Sequence, residues 1–378
     1  MKIDLIGPSY PFKGGISYYS TLLFKHLKTK HTARFFSFKR QYPRFLYPGK
    51  TDRDLSHSPL KDDEAQPLLD SLNPLSWLNV AVKIMRNKPD MTIFPWWVVF
   101  WAPQFLTIIF LLKLLSKTKI LFICHNIVEH ETHRIKYLIS KWILSRGDCF
   151  IVHSEEEKER LIKLTGKTEV SVCFHPTYEV FNPGEMPKAN ARKKLELDEE
   201  NIILFFGYVR EYKGLKYLLE AMPLILEKID ARLIIAGEFW EGKDFYLRLI
   251  DRLNIRNKLS IIDRYIPNEE VPYFFYACDI VVLPYTSVTG SGLVQLAFGF
   301  NKPVVVSRIG ALSEVVRDKE TGFLVPPENP QAIAEAVLNF FRESSRDEMP
   351  VSIKRDKDKF SWEHLVNSIE DFGRHERH

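Results

Sequence analysis

The chain has 378 residues, a net charge of +5 and the apolar and charged fractions of a folded globular protein. That length suits two α/β domains of ordinary size, each with its own core, and so modest a charge does not by itself imply nucleic acid. The four cysteines, Cys124, Cys149, Cys173 and Cys278, form no CxxC pair, which argues against a disulfide frame or a zinc site and for reduced thiols in a cytosolic setting.

The first predicted element is a strand, Ile3 to Ile6, with Asp4 inside it; Met1 to Ile6 reads as a strand and not as a signal peptide. A loop ending in Gly14-Gly15 follows, then a helix from about Ser17 to Leu27. A Gly-Gly turn between a first strand and a helix is a weak phosphate-approach signal, and no GxGxxG dinucleotide fingerprint is present. Next comes a basic run from Lys25 to Lys50, interleaved with Phe35, Phe36, Phe38, Tyr42, Phe45 and Tyr47. It reads either as a solvated basic face or as a surface for anionic lipid or an anionic acceptor. Pro48 to Leu72 is polar and irregular and reads as a loop or lid.

Phe94 to Leu115 is very apolar and is interrupted by Pro103 and Gln104. Its clean apolar part is too short to span a bilayer. It is either a core helix behind a strand or a helix lying in a membrane surface, with Trp96, Trp97 and Trp101 at headgroup level. Lys119 to Cys124 is a buried strand, and His125 stands where that strand meets its loop, the usual place for a functional side chain in an open parallel sheet. His125, Glu129, His130 and Glu131 cluster without a HExxH frame, so a metal site is disfavoured. A helix from His133 to Ser145 and a strand from Cys149 to His153 follow.

Glu179 to Lys193, with Pro183, Gly184 and Pro187, reads as a linker. Expected domains are residues 1–185 and 195–355, followed by a terminal helix over 356–378. The second half alternates regularly. Strands are expected at Ile202–Phe206, Ala231–Ala236, Leu259–Asp263, Ile280–Leu283 and Val304–Ser307. Helices are expected at Gly214–Ile229, Lys243–Leu253, Glu269–Cys278, Leu293–Phe300 and Gln331–Arg342. Such alternation predicts a doubly wound parallel sheet whose ligand lies outside the carboxyl ends of the strands.

Two loops stand at those ends. Thr286 to Gly292 is small, hydroxylated and glycine-ended, and it precedes a helix whose first N–H groups have no intrahelical partner. It reads as an anion seat or as an ordinary Gly-rich turn. Gly207 to Gly214 carries Arg210 and Lys213. These are either two solvated loop cations or a fork and a point charge against a diphosphate.

Together these segments resemble the family-four retaining glycosyltransferases of the GT-B fold. The resemblance rests on Gly14-Gly15, on Gly207 to Gly214 with its Lys213-Gly214 ending, on Asp279 to Pro284 with its loop and helix, and on Lys302-Pro303-Val304-Val305. Gly310 to Val316 and Thr321 to Pro327 continue it, and Phe360-Ser361-Trp362-Glu363 is similar to the tail that crosses back onto the first domain. The resemblance implies two Rossmann-like domains facing across a cleft, with a nucleoside-diphosphate sugar on the second and a glycan or lipid-linked acceptor on the first. It implies retention at the anomeric carbon and no cofactor or metal beyond that co-substrate. Lys213 and Arg210 would hold the diphosphate, His125 would contact the transferred sugar, and the backbone near Ile266 would meet the nucleobase. Gly14, Gly15, Gly207, Thr289, Gly290, Ser291, Gly292, Leu293 and Gln295 would complete the donor site. Val288 and Leu296 stand where the family has its paired glutamates, with Thr289, Ser291 and Gln295 as nearby polar substitutes. That departure keeps open a non-catalytic nucleotide-binding subunit of a glycan-assembly complex. An epimerase, with Glu238 as its acid or base, is a third reading. The basic, aromatic first domain suggests peripheral membrane contact, and no nucleic acid partner is expected.

Overall fold

The computed structural model describes residues 1–43, 49, 51–127, 134–184, 186–287, 292–342 and 345–374. The chain forms two compact units. One holds residues 1–55, 59–174 and 361–378; the other holds 56–58 and 175–360.

In the first unit the order is β1 (Lys2–Ile6), α1 (Gly15–Lys30), β2 (Thr32–Arg40), β3 (Ala65–Asp70), α2 (Pro74–Asn87), β4 (Met91–Trp96), α3 (Ala102–Leu115), β5 (Lys119–Cys124), α4 (Arg134–Leu144), β6 (Cys149–Val152), α5 (Glu155–Thr165) and β7 (Val170–Val172). The strands pair in parallel in the order β3-β2-β1-β4-β5-β6-β7. The central strands read as continuous apolar runs because both faces of such a sheet are covered by helices. Asp4 in β1 is fully buried and is held by Arg34 of β2 through two hydrogen bonds of 2.9 and 2.6 Å, with Asn87 as a third partner.

The basic, aromatic run resolves differently from its reading as a ligand surface. Phe35, Phe36 and Phe38 are fully buried in β2, and the flanking Arg34 and Arg40 pair with Asp4 and Asp70. Its middle is buried on both faces of the sheet, as in a covered parallel strand, and its charges stand at the ends of the strand. The rest of the run, Arg44 to Pro48 and Lys50, lies outside the described residues. The stretch expected to be loop or lid contains strand β3, and Pro67 is tolerated there because β3 is the sheet edge. The apolar stretch 94–115 is core on one side only: Trp96 and Trp101 are buried, as are Phe105, Ile108, Ile109 and Leu112 of α3, while Phe110, Leu114 and Leu115 are exposed.

The second unit runs α6 (Lys188–Lys194), β8 (Asn201–Phe206), α7 (Leu215–Leu226), β9 (Ala231–Ala236), α8 (Lys243–Arg252), β10 (Leu259–Ile262), α9 (Val271–Ala277), β11 (Ile280–Leu283), α10 (Gly292–Gly299), β12 (Val304–Ser307), α11 (Leu312–Val315), β13 (Gly322–Val325), α12 (Pro330–Arg342) and α13 (Ser345–Arg355). Its parallel sheet is ordered β10-β9-β8-β11-β12-β13. The final helix α14 (Trp362–Arg374) belongs to the first unit, where it packs on α1 through Trp362, Leu365, Val366, Ile369 and Phe372.

Both sheets reverse direction at one place. The chain winds outward one way from β1 and the other way from β4, and likewise from β8 and from β11. Outside the carboxyl ends of such paired strands lies the crevice where open α/β sheets bind ligands.

Candidate functional site

The reversal point of the second unit is built from the two loops singled out in the sequence. Gly207 follows β8 with φ of 96°, and its N–H donates to Ala236 O at 2.9 Å, extending the sheet by one rung. The chain then passes through a short turn at Glu211–Lys213 to Gly214, whose φ is 67°. A Cβ on Gly214 would stand 1.9 Å from Pro284 O, so only glycine fits there. The loop after β11 is tied to the same turn, since Thr286 N–H donates to Tyr212 O at 2.8 Å.

Lys213 is buried, and its Nζ lies 3.1 Å from the point where a Gly207 Cβ would be. Leu293 Cδ1, from the first turn of α10, lies 3.0 Å from that same point. The ammonium and the start of α10 therefore flank one glycine. Among the described residues Lys213 has no carboxylate partner, and the Tyr285 ring lies 5.9 Å from Nζ. Desolvation, reinforced by the positive charge of Arg210, lowers the Lys213 pKa to about 7. A buried lysine beside a glycine at the carboxyl edge of the sheet makes this place a candidate anion site.

Arg210 behaves differently from Lys213. Half-exposed, it bonds Glu241 through Nε at 3.3 Å, and its guanidinium lies 5.3 Å from the Tyr212 ring and 5.9 Å from that of Trp240. The expected pair of cations is thus one buried lysine and one arginine held by a surface carboxylate. Tyr208 stacks on Trp240 at 4.2 Å, beside the same loop.

Among the other expected residues, Gly292 begins α10 and packs against Tyr178, whose ring carbon would be 3.4 Å from a Cβ there. Gln295 is buried inside the unit, and its side-chain oxygen has no hydrogen bond among the described residues. Leu296 is buried in α10, while Val288, Thr289, Gly290 and Ser291 lie outside the described residues. Ile266 is buried just beyond β10, where Asp263 accepts from Phe239 N–H at 2.9 Å and from Lys243 at 2.6 Å.

The first unit brings its own candidates together at its carboxyl edge. Gly14 has φ of 118° and Gly15 opens α1; a Cβ at either position would meet nothing within 4 Å. One turn on, the Tyr19 ring contacts the His125 ring edge-on at 4.4 Å. His125 and His153 follow the adjacent strands β5 and β6, with ring centroids 5.0 Å apart, and Trp362 closes the cluster 5.2 Å from Tyr19. Sequence reading placed His153 in a strand and missed it; its signal was that it, like His125, ends an apolar strand run. Its Nδ1 lies 2.7 Å from Cys173 O, and burial lowers its pKa to about 4, so it stays neutral near neutrality. Val128 to His133, including Glu129, His130 and Glu131, lie outside the described residues.

This architecture is the GT-B fold, two Rossmann-like parallel-sheet units. It is shared over nearly the whole chain with Alr3699/HepE from Anabaena in complex with UDP (TM-score 0.76, 16% identity, 98% of this chain and 99% of that one). It is equally shared with sucrose-phosphate synthase from Thermosynechococcus elongatus (TM-score 0.73, 18% identity, 99% and 98%). Likeness at such identity is a likeness of fold.

Within the fold, residues 187–357, most of the second unit, match the family described as Glycosyl transferases group 1. The chain is 30% identical over 229 residues to an uncharacterized glycosyltransferase, MJ1607, of Methanocaldococcus jannaschii, a match covering 58% of this chain and 54% of the relative. It is 26% identical over 254 residues to the D-inositol 3-phosphate glycosyltransferase of Corynebacterium diphtheriae, covering 64% and 58%. The chain thus matches little more than half the length of these relatives.

Proposed function

We propose that this protein transfers a sugar from a nucleoside-diphosphate sugar to a glycan or lipid-linked acceptor, with retention and with side-chain cations rather than a metal at the diphosphate. The observation that carries the reading is Lys213, a desolvated ammonium beside Gly207 and the first turn of α10 at the sheet's reversal point. The group 1 match over residues 187–357 and the nucleotide complex named for the Anabaena neighbour support the same reading.

In this reading the barrier is departure of the nucleoside diphosphate from an oxocarbenium-like sugar. Lys213 and the N–H groups at the start of α10 meet the charge that develops on the leaving phosphate, in a desolvated site where such contacts act strongly. Arg210 swings from Glu241 to the phosphate once an anion competes for it. Gly207, Gly292 and Leu293 shape the approach, with Thr289, Gly290 and Ser291 in the same loop. The backbone around Ile266 takes the base, and His125, Gly14 and Gly15 are assigned to the transferred sugar by the resemblance alone. The incoming hydroxyl attacks from the side the phosphate leaves and passes its proton to that departing phosphate, which gives retention.

The test is an assay against a panel of nucleotide sugars, starting with UDP-glucose. Lys213→Ala is expected to cut UDP-sugar turnover by roughly 10²- to 10³-fold and weaken UDP binding, and full turnover in that variant overturns the assignment. Turnover that vanishes when divalent ions are chelated overturns the metal-independent part. A second reading has its own observation: Leu296, where the resemblance calls for a carboxylate, is apolar and buried. If nucleotides bind but neither hydrolysis nor transfer of any donor occurs, the protein is a nucleotide-binding scaffold.

A further inference from the structure

We propose that the outer surface of α2, α3 and α4 is a docking face for an anionic phospholipid bilayer. The inference rests on that surface alone and stands whether or not the sugar-transfer reading does.

Topology puts the three helices in one layer. The connections β3 to β4, β4 to β5, β5 to β6 and β6 to β7 all step the same way across the sheet, whereas β1 to β2 steps the other way. Right-handed crossovers then place α2 to α5 on one face and α1 on the opposite one. Contacts agree: α2 packs on α3, α3 on α4 and α4 on α5, while α1 packs on α14. Each helix of the layer buries an inner stripe, such as Val80 and Ile84, Phe105 and Leu112, or Ile143 and Leu144.

The outer stripes should be polar, and three of the four are not. Leu75, Phe110, Leu114, Ile135, Leu138 and Trp142 each leave more than half of their surface exposed. The spacing is helical, as at Phe110 and Leu114 or at Ile135, Leu138 and Trp142. Most of the exposed large apolar side chains among the described residues sit on these three helices. The neighbouring α5 supplies an internal comparison, because its exposed positions are Glu155, Glu159, Arg160 and Lys163. Scattered exposed leucines are ordinary, but a contiguous helical layer of them marks an interaction face.

Charge selects the occupant. No Asp or Glu occurs in α2, α3 or α4, which carry Lys83, Arg86, Lys113, Arg134, Lys136 and Lys141. Arg146 adds a guanidinium 4.4 Å from the Trp142 ring. Exposed Trp and Tyr with a polar tip, long cationic side chains and leucines between them suit the headgroup boundary of an anionic membrane. A second copy of the same face would set cation against cation, which is unfavourable. No helix among the described residues is long and apolar enough to cross a membrane, so the contact is peripheral.

The test is co-sedimentation of the full chain with phosphatidylcholine vesicles, with and without phosphatidylglycerol, at low and high salt. Binding is expected only with the anionic lipid, falling as salt rises. The pair Lys83→Glu and Lys141→Glu should weaken it by more than tenfold, since each cation near such a surface is worth about fivefold in affinity. Lys163→Glu on α5 should leave it unchanged. The triple variant Phe110→Ser, Leu114→Ser, Trp142→Ser should also lose binding with its melting temperature kept. The charge pair decides the matter if that variant does not fold. Quenching of fluorescence by brominated anionic lipid should drop on Trp142→Phe, although six other tryptophans remain. No binding to anionic vesicles overturns the proposal. So does equal binding to neutral ones, equal loss from Lys163→Glu, or self-association without lipid binding that the same charge pair abolishes.

Discussion

Both units bury a titratable base at the carboxyl edge of the same kind of sheet, yet to opposite ends. His153 gives its Nδ1 to Cys173 O, sits among rings and is held neutral, its pKa lowered to about 4. Lys213 has no carboxylate partner among the described residues, stands beside Gly207 and is lowered only to about 7. A base satisfied by backbone belongs to the packing. A base desolvated without a counter-charge, within reach of physiological titration, is a candidate for binding an anion, as proposed above for Lys213. The glycines divide in the same way: Gly214 is required by a carbonyl against it, whereas Gly15 has open space around it.

The sharpest way to break this comparison is Lys213→Ala, which should cut transfer by roughly 10²- to 10³-fold, in line with loss of one preorganised charge-stabilising group. The melting temperature should hold or rise, because an uncompensated buried cation is removed. A large drop in melting temperature with normal kinetics would make Lys213 structural, like His153. Next is Gly214→Ala, expected to destabilise by about 3 kcal/mol or more, since it combines a left-handed φ with a backbone clash. Gly15→Ala is its counterpart and should leave thermal stability unchanged. If turnover falls in Gly15→Ala all the same, a ligand must come close to that backbone.

The two bases also predict two pH dependences. For His153 the folded pKa lies below the unfolded one, so its contribution is complete above pH 6.5 and is lost as pH falls toward 4. Between pH 7 and pH 5 this group alone should remove about 2 kcal/mol of stability, measured by denaturant titration, and His153→Gln should flatten that slope. For Lys213 the window is higher: its contribution to stability is present above pH 10.5 and is lost as pH falls through about 7. A bound diphosphate restores the charge. Calorimetry of UDP binding in buffers of different ionisation enthalpy should therefore show uptake of close to one proton at pH 8 and close to none at pH 6. Equal uptake at both would remove Lys213 from the phosphate site.

Much of this was legible in the residues because it is local. Parallel strands announce themselves as apolar β-branched runs, and loops as the glycines and prolines between them. The strands at Ile280–Leu283 and Val304–Ser307 fell where expected. Lys213 was legible too, three residues from Arg210 at a strand end. What misled was pattern without partners. Phe35, Phe36 and Phe38 beside lysine and arginine look like a ligand surface until Asp4 and Asp70, brought by other strands, take up Arg34 and Arg40. Gln295 is polar and near the right loop, and its burial with a side-chain oxygen that has no hydrogen bond among the described residues is something pattern alone does not supply.

The sequence by itself determined two wound α/β halves and a glycine- and lysine-bearing loop after one strand, since those depend on short-range sterics and on the period of apolar residues. Only the tertiary structure decided which cation is buried and which pairs with a carboxylate. Whether a lysine keeps a carboxylate or loses its water depends on the packing around it: Lys213 is buried beside Gly207, while Glu241 takes Arg210. It likewise decided that α2, α3 and α4 share one layer, because handed crossovers, not composition, set which helices lie side by side.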